Sequence, residues 1–120
     1  MAKKTLVLGA SENPQRYSNM AVKKLSAYKH PIVAIGRRPG KINDIEITKE
    51  KPPMNDIDTI TLYLNPQNQK PYYEYILSLQ PKRIIFNPGT ENDELERLAN
   101  AKGIYTEEGC TLVMLSTGEY

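Results

Sequence analysis

Apolar runs alternate with amphipathic segments along the first half of the chain. Residues 3–11 predict a buried strand that ends in a turn of small residues, and the apolar period over residues 18–28 predicts a helix. Residues 31–36 predict a second strand. Residues 43–56 alternate briefly and then contain two prolines, which predicts a short edge strand and an irregular connection. The order strand, helix, strand is typical of a βαβ unit.

The second half continues this alternation. Further strand regions are predicted at residues 57–64, at 83–86 and in the tail at 103–106 with 111–115. Helices are predicted between them, at residues 67–79 and 92–101, the latter with Gly103 just beyond its end. Strands that alternate with helices across short turns favour right-handed crossovers. We therefore predict an α/β, Rossmann-like three-layer sandwich with a mainly parallel sheet of five to six strands.

Size and charge limit what the chain can be. Its 120 residues predict a single domain, residues 1–120, with no room for a separate catalytic domain. The net charge of +2 is too small to predict a nucleic-acid partner. A single cysteine, Cys110, excludes an intramolecular disulfide, and no apolar run suits a signal peptide or a membrane span. We expect a cytoplasmic protein.

The turn after the first strand carries candidate phosphate ligands. A strand, a tight glycine turn and a helix bring backbone N–H groups and a helix N-terminus to a place where a phosphate can bind. The dinucleotide fingerprint is only partly matched, because Ser11 and Pro14 stand at its second and third glycines. The alternative is a simple turn with Ser18 or Asn19 as the helix N-cap. The candidate anion-binding residues are Gly9, Ala10, Ser11, Asn13, Arg16 and Ser18.

A basic segment follows the second strand, where NAD-binding domains carry an acidic residue for the ribose hydroxyl. Arg37 and Arg38, with Lys41 three residues further on, would instead bind a phosphate on the ribose. NADP and coenzyme A both carry such a phosphate. The alternative is that these three residues are solvated loop charges.

Two more turns fall at the edge of the sheet where open α/β sheets bind ligands. Asn65-Pro66 follows the third main strand and Asn87-Pro88-Gly89 follows the fourth. They are candidates for the walls around an adenine and a pantetheine arm, although a turn requires the same residues without any ligand.

No catalytic constellation is visible in the sequence. His30 precedes a proline at a helix–strand junction, and Cys110 has no histidine near it in sequence to act as a base. The chain has no cluster of cysteines and histidines, so we predict no metal site. These observations favour a binding protein over an enzyme.

Several short motifs occur in a fixed order: Gly9-Ala10-Ser11-x-Asn13-Pro14-x-Arg16-x-Ser18, Val33-Ala34-Ile35 before Pro39-Gly40-Lys41, Asn92-Asp93-Glu94, Gly103-Ile104 and Gly109-Cys110. This series resembles the small stand-alone CoA-binding proteins, which are similar to the N-terminal CoA-binding domain of the succinyl-CoA synthetase α-subunit. The likeness covers nearly the whole chain, and its most specific part is the first loop.

The resemblance implies that residues 9–18 hold the CoA phosphates, that residues 37–41 contact the phosphates of the nucleotide, and that residues 64–66 line the adenine side. The phosphorylated histidine of the synthetase lies in another domain, so ligase activity is not implied. The chain departs from many relatives in two places. They have Val-Asn-Pro where this chain has Ile35-Gly36-Arg37-Arg38-Pro39, and Gly-Ile or Gly-Val before the Asn-Glu helix where it has Gly89-Thr90-Glu91.

Three hypotheses follow from the sequence. The first is non-catalytic binding of coenzyme A or an acyl-CoA, with an unidentified protein partner as a further possibility. The second is an NADP-binding oxidoreductase-like domain, which Pro14 and the lack of a substrate domain disfavour. The third is a protein-interaction module with a vestigial nucleotide cleft.

Overall fold

A seven-stranded sheet runs through the centre of the computed structural model, which describes residues 2–120. Its strands are β1 (Thr5–Leu8), β2 (Ile32–Ile35), β3 (Gly40–Ile42), β4 (Ile45–Thr48), β5 (Thr59–Leu62), β6 (Arg83–Phe86) and β7 (Tyr105–Glu108). The strand order is β3-β4-β2-β1-β5-β6-β7, and every neighbouring pair is parallel except β3 with β4. The Rossmann-like α/β fold is confirmed, with more strands than the five to six predicted.

Helices cover both faces of this sheet. They are α1 (Tyr17–Ala27), α2 (Pro66–Gln69), α3 (Tyr73–Ser78), α4 (Asp93–Ala101) and α5 (Thr111–Thr117). Apolar side chains of α1 and α5 share one core cluster, and those of α3 and α4 share the other, so the sheet lies between two helical layers. Among residues 2–120, no helix has the length and apolar character needed to cross a membrane.

The hairpin β3–β4 corrects the prediction of one short edge strand. Gly40 and Lys41 belong to β3 rather than to a loop, and Asn43 makes the turn with a φ of 52°. Strand β4 pairs in parallel with β2, which leaves β3 at the edge. The sequence pattern missed β3 because a strand of three residues shows too little alternation.

Two predicted elements have a different form in the structure. The helix expected over residues 67–79 is divided into α2, a 3-10 turn at Lys70–Tyr72 and α3, because Pro71 lacks an N–H and disrupts regular α-helical bonding. Residues 111–115, expected as a strand, form α5. Their apolar run suits either state, but Thr111, Met114 and Leu115 are buried at helical spacing, and Gly118 ends the helix with a φ of 78°.

Alternation along the central strands sends side chains to opposite layers. Leu62 and Phe86 belong to the core cluster beneath α3 and α4, whereas Val7 and Ile85 belong to the cluster beneath α1 and α5. The register pairs Leu8 with both Ile35 and Leu62, so the central strands end at one level. Their following loops therefore surround a common space.

Candidate functional site

A cleft of about 910 Å³ opens at the carboxyl ends of β1, β2, β5 and β6. Its volume lies within the range of small-molecule sites, and its position is where open α/β sheets bind ligands. The structure brings together on its walls nine of the candidate residues: Gly9, Ala10, Ser11, Asn13, Arg16, Ser18, Arg37, Arg38 and Asn65.

Lys41 and Pro66 are the two candidates that do not line the cleft. The Lys41 side chain projects from edge strand β3 into solvent. Pro66 is the first residue of α2, behind the N-cap Asn65, whose Oδ1 accepts the Asn68 N–H at 2.9 Å. Pro66 is therefore explained by the start of a helix.

Gly9 makes the tight turn into the first loop. Its φ is 101°, and a Cβ there would lie 3.0 Å from the carbonyl carbon of Tyr63, so a side chain is unfavourable on both counts. The Gly9 and Ala10 amides both donate to the Ile35 carbonyl, at 2.8 and 3.0 Å. These two amides are thus not available to an anion. The next two, of Ser11 and Glu12, have no acceptor within residues 2–120.

The polar side chains of the loop shape it from within. The Ser11 Oγ accepts the Asn13 N–H at 3.1 Å, and the Asn13 Oδ1 accepts the Gln15 N–H at 2.9 Å. Such local bonds from serine and asparagine hold a loop in one conformation. The Ser11 hydroxyl and the Asn13 amide nitrogen remain able to donate to a ligand.

The prediction that Ser18 or Asn19 caps α1 is wrong. The N-cap residue is Arg16, which makes no side-chain capping bond, and Ser18 and Asn19 are buried inside the first turn. Asn19 instead fastens the loop, because its Nδ2 donates to the Ser11 carbonyl at 2.9 Å. In the described chain the first-turn amides of Tyr17 and Ser18 therefore have no acceptor and face the cleft end of the helix.

Four basic side chains surround this end of the molecule: Arg16, Arg37, Arg38 and Lys41. All four are exposed, and none forms an ion pair or a side-chain hydrogen bond with another of residues 2–120. Positive charge that is concentrated beside free amides, with no acidic partner, favours a bound anion.

The loops after β1 and β2 are in backbone contact. A Cβ at Gly36 would lie only 2.3 Å from the Ala10 carbonyl oxygen, so no other residue fits without moving the first loop. Glu12 makes a second connection, because its Oε2 accepts the Lys41 N–H at 2.8 Å. An exposed loop glutamate carries no sequence signal for such a contact, and the sequence analysis missed it.

The opposite wall is braced by a residue that the sequence did not single out. Gln69 is buried, and its Nε2 donates to the carbonyls of Leu64 and Thr90, at 2.8 Å each. Its Oε1 accepts the Asn92 Nδ2 at 2.8 Å. One amide side chain thus joins the loops that follow β5 and β6.

Tyr63 lines the cleft, and its hydroxyl is buried inside the protein. The hydroxyl is buried near Thr61 and Thr111 but forms no hydrogen bond of adequate geometry within the described residues. Burial raises the pKa of Tyr63 to about 12, more than the neighbouring threonine hydroxyls offset. Cys110, just before α5, is half-buried, and no group of three metal-ligating side chains occurs in residues 2–120.

Comparison with known proteins adds to this geometry. Residues 3–116 match the model of a family described as a CoA binding domain. No curated protein shows significant similarity to the chain.

Solved structures are similar over nearly the full chain. A crystal structure of an uncharacterized protein is 49% identical, with a TM-score of 0.98, covering 100% of this chain and 99% of that one. A hypothetical protein from Pyrococcus horikoshii OT3 is 20% identical, with a TM-score of 0.83 and coverage of 92% and 79%. A conserved hypothetical protein from Pyrococcus furiosus is 21% identical, with a TM-score of 0.77 and coverage of 89% and 92%. The two archaeal likenesses show the fold alone.

Proposed function

Since the chain belongs to the family of CoA-binding domains, we propose that it binds coenzyme A or an acyl-CoA in the cleft and catalyses no reaction on it. The observation that carries this proposal is the group of four basic side chains without acidic partners beside the free amides of the first loop. CoA carries a pyrophosphate and a ribose phosphate, and this cleft offers donors on two of its walls.

The pyrophosphate is assigned to the first loop and the start of α1. Here the amides of Ser11, Glu12, Tyr17 and Ser18 are free, and Arg16 supplies a cation. Gly9 and Ala10 contribute by letting the backbone approach closely rather than by donating, because their amides are engaged with Ile35.

The ribose phosphate is assigned to Arg37 and Arg38. Guanidinium groups bind phosphate oxygens through paired, charge-assisted hydrogen bonds, and both arginines line the cleft without other partners. Lys41 adds positive charge from the adjoining strand.

The remaining wall is assigned to the adenine and the pantetheine arm. It consists of Leu64 and Asn65 after β5 and of Pro88, Gly89 and Thr90 after β6. Gln69 joins the two loops, so this wall is formed before the ligand arrives, which lowers the entropic penalty of binding.

The non-catalytic part of the proposal rests on the chemistry of the lining. The side chains of the cleft include no histidine and no cysteine among the described residues. With a pKa raised to about 12 by burial, the phenol of Tyr63 stays protonated near neutral pH and is a poor general base.

Calorimetric titration with CoA, dephospho-CoA and NADPH under reducing conditions tests the proposal. The double variant Arg37→Ala/Arg38→Ala should bind CoA about 10- to 100-fold more weakly, because each substitution removes a charged hydrogen bond to the ribose phosphate. Its affinity for dephospho-CoA should change much less, since that ligand lacks the ribose phosphate. Arg97→Ala/Lys102→Ala removes the same charge from exposed positions away from the cleft and should leave CoA affinity unchanged.

Other outcomes favour the other hypotheses. Equal losses for CoA and dephospho-CoA would contradict the role of the two arginines. Preferential binding of NADPH would favour an oxidoreductase-like domain, and binding of no nucleotide would favour a protein-interaction module.

A further inference from the structure

Glu12 is the one acidic residue among the described side chains that line the cleft. Its Oε2 accepts the Lys41 N–H at 2.8 Å, and its side chain lies against the backbone of Gly40, where a Cβ would approach its Cδ to 2.3 Å. The carboxylate thus extends from the first loop to the start of β3.

The Glu12 carboxylate forms no ion pair among residues 2–120, although Arg37 and Arg38 line the same cleft. Its observed hydrogen bond is to a backbone amide. A negative charge held by a backbone amide in a cleft that two arginines also line is the arrangement that an anionic ligand itself would adopt.

A ribose phosphate held by Arg37 and Arg38 would compete with this carboxylate. Phosphate and carboxylate oxygens accept the same hydrogen bonds, and the single N–H of Lys41 cannot serve both well. The two anions also repel each other at short range.

We propose that Glu12 occupies, in the ligand-free protein, the position of the ribose phosphate, and so limits both the affinity for phosphorylated ligands and the preference for them. This inference rests on the proposed function, because it requires a ligand whose ribose phosphate binds beside Arg37. When such a ligand binds, the Glu12 carboxylate leaves the Lys41 amide. A ligand without the phosphate leaves that contact intact.

The test is calorimetric titration of Glu12→Gln and Glu12→Ala with CoA and with dephospho-CoA. Glutamine keeps an acceptor for the Lys41 N–H but removes the charge, so CoA should bind about two- to fivefold more tightly, as expected for one partly screened charge. Alanine also removes the acceptor and should increase CoA affinity at least as much. Dephospho-CoA should bind both variants as it binds the wild type.

Two measurements complete the design. Glu74→Gln removes the same charge from an exposed position on α3 away from the cleft and should leave both affinities unchanged. Hydrogen exchange should show a faster Lys41 amide in Glu12→Ala, and addition of CoA to the wild type should change the exchange of the same amide.

Each result has one meaning. CoA affinity that is unchanged or weakened in both Glu12 variants overturns the inference, as does an equal gain for dephospho-CoA, which would indicate a general charge effect. If the wild type binds CoA normally, these results leave the proposed function standing. If the wild type binds neither nucleotide, the proposed function fails and this inference fails with it.

Discussion

The two faces of the sheet are held to their helices by different interactions. Beneath α3 and α4, the strands present Leu62, Ile84 and Phe86, which pack with apolar side chains such as Leu95 in one continuous cluster. Beneath α5, the same strands present the buried polar residues Thr59, Thr61 and Arg83, and the buried Asn87 follows directly after β6. Both faces exclude water, but the second, called here the polar face, combines these polar residues with an apolar cluster that includes Ile85, Met114 and Leu115.

Directional bonds add to apolar packing on the polar face. The Asn87 Nδ2 donates to the Thr61 Oγ1 at 2.7 Å, and Thr61 bonds the Thr111 hydroxyl of α5 at 2.8 Å. Lower on the same face, Arg83 lies over the Tyr120 ring, 4.5 Å from its centroid, and its Nε donates to the Thr59 hydroxyl at 3.1 Å. The bonds of Thr61 and Asn87 to Thr111 fix the start of the short helix α5 against the sheet.

The difference suggests how each face fails. An apolar cluster loses free energy in proportion to the volume removed, whereas a polar network loses it through each partner left unsatisfied. The apolar face should therefore dominate global stability, and the polar face should control the local stability of α5.

The largest expected effect is from Phe86→Ala on the apolar face. Phe86 is fully buried, so its truncation should lower the free energy of unfolding by about 3–5 kcal/mol, measured by urea denaturation. Val113→Ala, at an exposed position of α5, serves as the control and should change stability by less than about 0.5 kcal/mol. If Phe86→Ala lowers the free energy of unfolding no more than the control does, the apolar face does not dominate global stability.

An intermediate effect is expected from Asn87→Ala on the polar face. The change removes two bonds from the Nδ2 and leaves the Thr111 N–H, now bonded to the Asn87 Oδ1 at 2.9 Å, without its acceptor. The free energy of unfolding should fall by about 1–3 kcal/mol. Hydrogen exchange should accelerate more in α5 than in α3.

The control for this variant is Asn55→Ala, an exposed asparagine between β4 and β5, which should leave exchange in α5 unchanged. If Asn87→Ala accelerates hydrogen exchange equally in α3 and α5, the two faces are not energetically separable.

The smallest effect is expected from Tyr63→Phe. Its hydroxyl is buried without a satisfactory partner, so removing it should change stability by less than about 1 kcal/mol and in the stabilising direction. Tyr120→Phe is the matched comparison, because it removes a buried hydroxyl that bonds the Thr5 hydroxyl, and it should destabilise by about 0.5–1.5 kcal/mol. Thermal unfolding of both variants measures these changes in stability. A clear loss of stability in Tyr63→Phe would mean that the Tyr63 hydroxyl has a hydrogen-bond partner.

Local patterns predicted most of the fold. Strands β2 and β6 are apparent from their β-branched runs alone. Helix α4 is apparent from its N-cap Asn92 and from Gly103 beyond its end. The strand predicted at residues 103–106 is present as β7, whereas the strand predicted at residues 111–115 is wrong, because the apolar run from Leu112 to Leu115 suits a strand or a buried helix equally. The environment of α5, not its own sequence, selects the helix.

The residues of the candidate site also divide into those with a local sequence signal and those without one. A glycine turn and adjacent arginines are local signals, and the structure brings Gly9, Arg37 and Arg38 into one cleft. Gln69 and Glu12 could not be identified from the sequence, because they act on residues far away in the chain. Gln69 reaches Thr90 across 21 positions, and Glu12 reaches Lys41 across 29.

The contact of Gly36 with Ala10 has a consequence for engineering. Because backbone touches backbone there, the spacing between the first loop and the basic loop does not depend on how side chains repack. The two loops are therefore held at a fixed distance from each other. Side chains on either loop can be exchanged without altering the spacing between the loops, which depends on the absence of a side chain at Gly36.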